Sequence, residues 1–148
     1  MTRLLTLMVL ALALISTQAE SRSKRIHVIA EIVQQTFTGK LNGPQLGDQL
    51  ISSVELFDKH DETEQVGTGS GFCTVVAVPP LDTRVQCLLS AVFAEGQIIF
   101  GGLAPLPEVG GAAQFGILGG TGDFRTARGE VTITVLTPNT QDAVFELE

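Results

Sequence analysis

Eight short runs rich in Val, Ile, Thr and Phe, punctuated by Gly, Pro, Asn and Asp, leave this chain almost nothing from which to build a long amphipathic helix. The runs are Ile26–Val33, Gln49–Asp58, Gln65–Val78, Arg84–Ala94, Gln97–Leu103, Ala112–Leu118, Arg128–Leu136 and Ala143–Leu147. Gln35–Asp48, with Gly39, Asn42, Gly43, Pro44 and Gly47, reads as a loop, as does the Pro/Gly-rich Ala104–Gly111. Gly67, Gly69 and Gly71 inside the third run suggest bends or bulges. Hairpin-length links between so many strands predict an all-β fold, an eight-stranded antiparallel barrel whose closure removes exposed edges. A β-sandwich needs the same kind of strands and is the alternative. Leu88, Leu89, Ala91, Val92 and Phe93 make the fourth run apolar on both faces, which fits an outer wall covered by sister subunits.

The first 19 residues stand apart from this pattern. Arg3 precedes an apolar stretch from Leu4 to Ile15 broken only by Thr6, and Thr17-Gln-Ala19 offers small residues for cleavage before Glu20. That arrangement predicts a secretory signal peptide over residues 1–19 and a single domain over residues 20–148, secreted, extracellular or periplasmic. No later stretch reaches the roughly 18 apolar residues of a membrane span. Residues 20–148 hold 8 basic and 16 acidic residues, a net charge of −8. So acidic a surface argues against nucleic acid or anionic membrane as a partner.

Export permits a disulfide between the two cysteines, Cys73 and Cys87. Pro79-Pro80 lies midway between them, so a hairpin would set them opposite each other. The alternative is a pair of buried thiols. Two cysteines with two distant histidines, His27 and His60, do not make a zinc spacing. Gly119–Gly122 lacks the Lys-Ser/Thr and the helix of a phosphate loop.

The run Gly119-Gly-Thr-Gly-Asp-Phe-Arg-Thr-Ala-Arg-Gly129 resembles the GGTG-F-x-x-ARG signature of dirigent proteins and, more loosely, the matching segment of allene oxide cyclases. Leu46-Gly-Asp48 and Val66-Gly-Thr-Gly-Ser-Gly-Phe-Cys73 are similar to further segments of these families, in the same order. The resemblance covers about residues 26–136. It implies an eight-stranded barrel that holds a hydrophobic small molecule, works without a cofactor or metal, and forms a homo-oligomer, a trimer.

The resemblance also directs attention to three residues as catalytic. Asp123 and Arg128 match an acid and an arginine of the dirigent turn, and Glu31 falls where allene oxide cyclases carry a lumen glutamate. A carboxyl group in an apolar cavity has its charged form disfavoured, which suits it to proton transfer near neutral pH. His27 shares the face of Glu31 by period-two spacing. Each residue also has a plainer reading: Asp123 as a turn cap paired with an arginine, Glu31 and His27 on a solvated face, Arg125 as a surface charge. The lumen asparagines of allene oxide cyclases have no counterpart, their positions falling at Val33 and about Val54, and dirigent lumen tyrosines are absent from a chain without Tyr.

Two functions from different classes follow. The first is a secreted barrel that steers a cyclisation or a stereoselective coupling, an isomerase, cyclase or dirigent-like protein, by confining an apolar molecule. The second is a non-catalytic, lipocalin-like carrier or structural barrel. The signal-peptide reading has a direct check: mass spectrometry of the exported protein is expected to give an N-terminus near Glu20, and an intact Met1 would refute it.

Overall fold

A computed structural model describes residues 23–39 and 42–148. The expected signal peptide lies outside these residues. Eight strands follow one another: β1 Lys24–Phe37, β2 Gln49–Asp58, β3 Gln65–Ala77, β4 Arg84–Phe93, β5 Gly96–Pro105, β6 Ala112–Gly120, β7 Gly129–Thr137 and β8 Thr140–Leu147. Each pairs antiparallel with the next, and β8 pairs with β1 to close the barrel. The closed barrel, not the sandwich, is the architecture. The Gly122–Phe124 segment between β6 and β7 forms one 3₁₀ turn.

Side-chain alternation assigns one face of every strand to the interior. Val85, Cys87, Leu89, Ala91 and Phe93 point inward from β4, while Leu88 and Val92 face outward and are exposed. On β1 the inward residues are Val28 and Ala30. The register against β2 then slips between Ile32 and Gln34, so that Val33 is an extra residue in the ladder. Such a bulge reverses which residues face the core downstream of it. Beyond it β1 continues to Phe37, pairing Gln35 with Ser52 and Phe37 with Leu50. The expected loop therefore begins later than its polar composition suggests. β8 likewise begins at Thr140, because Pro138-Asn139 makes a tight turn whose Asn139 N–H donates to Thr137 Oγ1 at 3.2 Å.

The glycines of β3 do two things: against β2 the register slips beside Gly67, where Val66 is an extra residue, as expected of a bulge, and Gly69 and Gly71 make room. The β3–β4 ladder runs without a slip from Gly67 to Val75. A Cβ at Gly69 would approach Val54 Cγ2 to 2.8 Å, and one at Gly71 would approach Leu89 Cδ2 to 2.6 Å. These positions leave room for large inward side chains on β2 and β4.

One end of the barrel is closed by aromatic packing. Phe145 is 1% exposed and stands nearly perpendicular to Phe93 and Phe100, with ring centroids 5.9 Å and 5.4 Å away. Phe124 packs on Phe93 at 5.9 Å, and Phe115 on Phe100 at 6.2 Å. These separations suit the edge-to-face geometry that aromatic rings prefer. Lys24 caps the group, its Nζ 5.1 Å from the centre of the Phe124 ring.

Cys73 and Cys87 are register partners on β3 and β4, and they form a disulfide with Cα atoms 4.0 Å apart. Two outcomes follow. Thiol titration of the unreduced, denatured protein is expected to find almost no free thiol. Phe145→Ala is expected to destabilise the fold by about 3–5 kcal/mol in denaturant titrations, and a loss below about 1 kcal/mol would show that the aromatic packing does not hold the barrel.

Candidate functional site

Beyond the aromatic cluster, whose Phe115 reaches the cavity wall, the barrel interior is partly hollow. A cavity of about 110 Å³ opens at the end where β5 and β6 are joined. Its wall is mostly aliphatic, with Leu50, Val85, Leu89 and Ala104 among its residues, and the Cys73–Cys87 disulfide is part of it. A smaller space of about 60 Å³ shares Ser52, Leu89, Ile133 and Gln141 with the first and extends to Leu56 and Phe100. Three uncharged polar side chains interrupt the apolar wall: Gln35 from β1, Ser52 from β2 and Gln141 from β8. The bulge at Val33 is what brings Gln35 to the cavity, and the early start of β8 brings Gln141.

The mouth is shaped by the β5–β6 connection, from which Leu106, Pro107, Glu108 and Gly111 line the cavity. Backbone hydrogen bonds tie this connection to β7: Gly110 N–H donates to Val135 O at 2.8 Å, and Val135 N–H donates to Gly111 O at 2.9 Å. Gly110 holds φ = +83°, a conformation that suits glycine.

None of the three residues singled out in the sequence lines this cavity. Glu31 lies one residue beyond the inward-facing Ala30, ahead of the bulge, so alternation puts it on the outer face, where it is exposed. The expectation of a lumen carboxylate at Glu31 is corrected on that ground. Its partner across the β1–β2 ladder is Glu55, another acid. His27 does share its face, but its Nε2 meets Asp142 Oδ1 at 2.8 Å, with Lys59 Nζ 3.8 Å from the same oxygen. Asp123 is exposed in the 3₁₀ turn, and the neighbour that turns inward there is Phe124, 3% exposed. Asp123 therefore stands at the closed end, not beside the cavity. Arg128 is exposed at the same end, its carbonyl accepting from Glu148 N–H at 3.0 Å. His60 sits in the β2–β3 turn, where its N–H donates to Asp58 Oδ1 at 2.7 Å. In that turn Asp61 accepts from the hydroxyl and N–H of Thr63, and these bonds hold its carboxyl below the usual range.

Of the residues the sequence reading missed, Ser52 had a signal. It shares its face with Leu50, Val54 and Leu56, an isolated hydroxyl in an apolar period-two row. Gln35 and Gln141 fell in stretches read as links between strands.

Comparison with known proteins agrees with this architecture. The model of the allene oxide cyclase barrel-like domain matches residues 27–145. The chain belongs to this family. Compared by sequence with proteins of curated function, this allene oxide cyclase-like barrel has no significant match. Among solved structures it is similar to a pyocyanin demethylase at 25% identity, covering 83% of this chain and 99% of that one, with a TM-score of 0.68. It is also similar to AbnU, an exo-specific intermolecular Diels–Alderase, at 19% identity, 84% and 98% coverage and a TM-score of 0.68. A third structure, a nonspecific heme-binding cyclase that catalyses a [4 + 2] cycloaddition in neoabyssomicin biosynthesis, aligns at 13% identity. There the coverage is 88% of this chain and 66% of the other, with a TM-score of 0.71.

The placement of Glu31 has a measurable consequence. Like charges directly opposed across an antiparallel pair are destabilising. Glu31→Gln is therefore expected to raise stability by about 0.2–1 kcal/mol at low salt, with the gain shrinking as salt is added. A loss of stability in denaturant titrations would show instead that the Glu31 carboxylate makes a stabilising contact.

Proposed function

We propose that this barrel binds an apolar small molecule in the open half of its lumen and steers a ring closure by confining it. The observation that carries this reading is the cavity itself: blind at the aromatic end, open at the other, and lined by aliphatic groups with three uncharged hydrogen-bonding side chains. Pockets of that make-up bind small molecules and orient them with a few polar groups. Gln35, Ser52 and Gln141 can each donate to a carbonyl or ether oxygen, fixing the conformer from which the ring closes. Membership in the allene oxide cyclase-like family supports the reading, as do a Diels–Alderase and a cyclase among structures sharing the fold. The two acids and the arginine singled out in the sequence, Glu31, Asp123 and Arg128, would act only on a molecule bound outside the cavity.

A specific observation favours the carrier alternative. The described cavity walls offer no acid or base within the barrel, only Glu108 at the mouth. The two readings separate experimentally. Ala104→Phe fills the cavity from the wall. In the enzyme reading, the parent converts linear polyenes bearing a carbonyl-activated alkene to one stereoisomer in excess, while Ala104→Phe returns the uncatalysed ratio. Gln35→Leu and Gln141→Leu should each lower the energetic preference for that stereoisomer by about 1 kcal/mol. Tight binding without any change in product ratio would leave the carrier.

Export and self-association belong to the same proposal. Ile51, Phe72 and Leu88 form a row of ladder partners across the outer face of β2, β3 and β4, and all are exposed. Such a stripe on the outside of a barrel suits burial against a second copy of the chain. Sedimentation is expected to show an oligomer that Leu88→Glu dissociates, and a monomeric parent would overturn this part.

A further inference from the structure

We infer that the cavity discriminates by charge, taking neutral or cationic ligands and rejecting anions, and that Glu108 sets this preference. The inference rests on the reading of the cavity as a ligand site. Glu108 is the only ionisable side chain among the described residues that line it. The groups within the barrel, Gln35, Ser52 and Gln141, carry no charge.

Size makes the mouth matter. A cavity of about 110 Å³ is comparable to engineered apolar cavities of about 150 Å³ that hold one benzene ring. Ligand pockets for larger molecules are about 300–1,000 Å³. A ligand of more than one ring must therefore extend through the opening, past the β5–β6 connection. There Glu108 is exposed, and the geometry fixes where its side chain starts. Gly111 N–H donates to Glu108 O at 2.9 Å, closing a tight turn, and the Glu108 Cγ lies 3.2 Å from where a Cβ on Gly111 would stand. The stem thus folds over Gly111, itself a cavity residue. Arg84 begins β4 at this end of the barrel, but the inward residue of that pair of neighbours is Val85, which leaves Arg84 on the outer face. The chain's overall negative charge adds to the same field.

An anionic group protruding from the mouth meets a like charge, and one drawn inside loses its hydration with only neutral donors in return. A neutral or cationic group meets neither penalty. At a separation of about 6 Å, the repulsion of two unit charges corresponds to about 3-fold in affinity in bulk water and more where solvent is partly excluded.

Two dyes of nearly the same shape test this. N-phenyl-1-naphthylamine is neutral, and 8-anilino-1-naphthalenesulfonate adds one sulfonate. Fluorescence titration of the intact protein at low salt is expected to give at least 10-fold tighter binding of the neutral dye. Glu108→Gln should improve sulfonate binding by about 3-fold or more and leave the neutral dye unchanged, and Glu108→Lys should improve it further. Added salt should narrow the gap in the parent. Ala104→Phe reports any dye held on the outer wall, which is subtracted. Equal binding of the two dyes, or a ratio unmoved by both Glu108 variants, overturns the inference while leaving the cavity reading intact. Neutral-dye binding that is absent in the parent, or that survives Ala104→Phe undiminished, overturns the cavity reading and the inference with it.

Discussion

A closed sheet must fill its own interior, and in this barrel phenylalanines do so from one end as far as the cavity wall, which Phe115 reaches. Phe93, Phe100, Phe115, Phe124 and Phe145 make a continuous chain of tilted and edge-to-face contacts. They come from β4, β5, β6, the 3₁₀ turn and β8, so the packing ties together elements distant in sequence. The glycine-rich segment between β6 and β7 takes its meaning from this arrangement. A Cβ at Gly122 would collide with the carbonyl of Glu95, and one at Gly120 would come within 2.6 Å of the carbonyl of Phe124. The glycines let the turn close tightly against the β4–β5 hairpin and deliver one ring to the base of the core.

The sequence carried the fold more fully than the site. The strand runs and the glycine and proline punctuation were enough to place eight strands, the family resemblance favoured closure over a sandwich, and the symmetry of Cys73 and Cys87 about Pro80 pointed to the bridge that forms. The site depends on register, which composition does not reveal. One extra residue, Val33, puts Gln35 on the interior side of β1 while Glu31, four residues earlier, stays outside, and a single-residue bulge has no signature in a stretch such as Ile32-Val-Gln-Gln35. The glycines of the signature turn reflect the close approach of backbones at the aromatic end, and Asp123 and Arg128 stand exposed beside them, away from the cavity.

The site that results is chemically quiet. Amides reach the lumen at Gln35 and Gln141, while Val33 at the bulge is exposed and Val54 is apolar. A wall of this kind acts through shape and a few hydrogen bonds, and its selectivity is settled at the mouth.

The disulfide bears on how a barrel can remain half empty. At the aromatic end, side chains hold the strands together by filling the space between them. In the open half the buried side chains, Val85, Ala104 and Phe115 among them, line the cavity wall and leave the space between them unfilled. Cys73 and Cys87 lie in the wall of this half and join β3 to β4 directly, beside Leu50 and Val85. A covalent link needs no neighbours across the lumen in order to act. The molecule thus reinforces its cohesion by region, with ring-to-ring contact at one end and a covalent link added to the wall at the other.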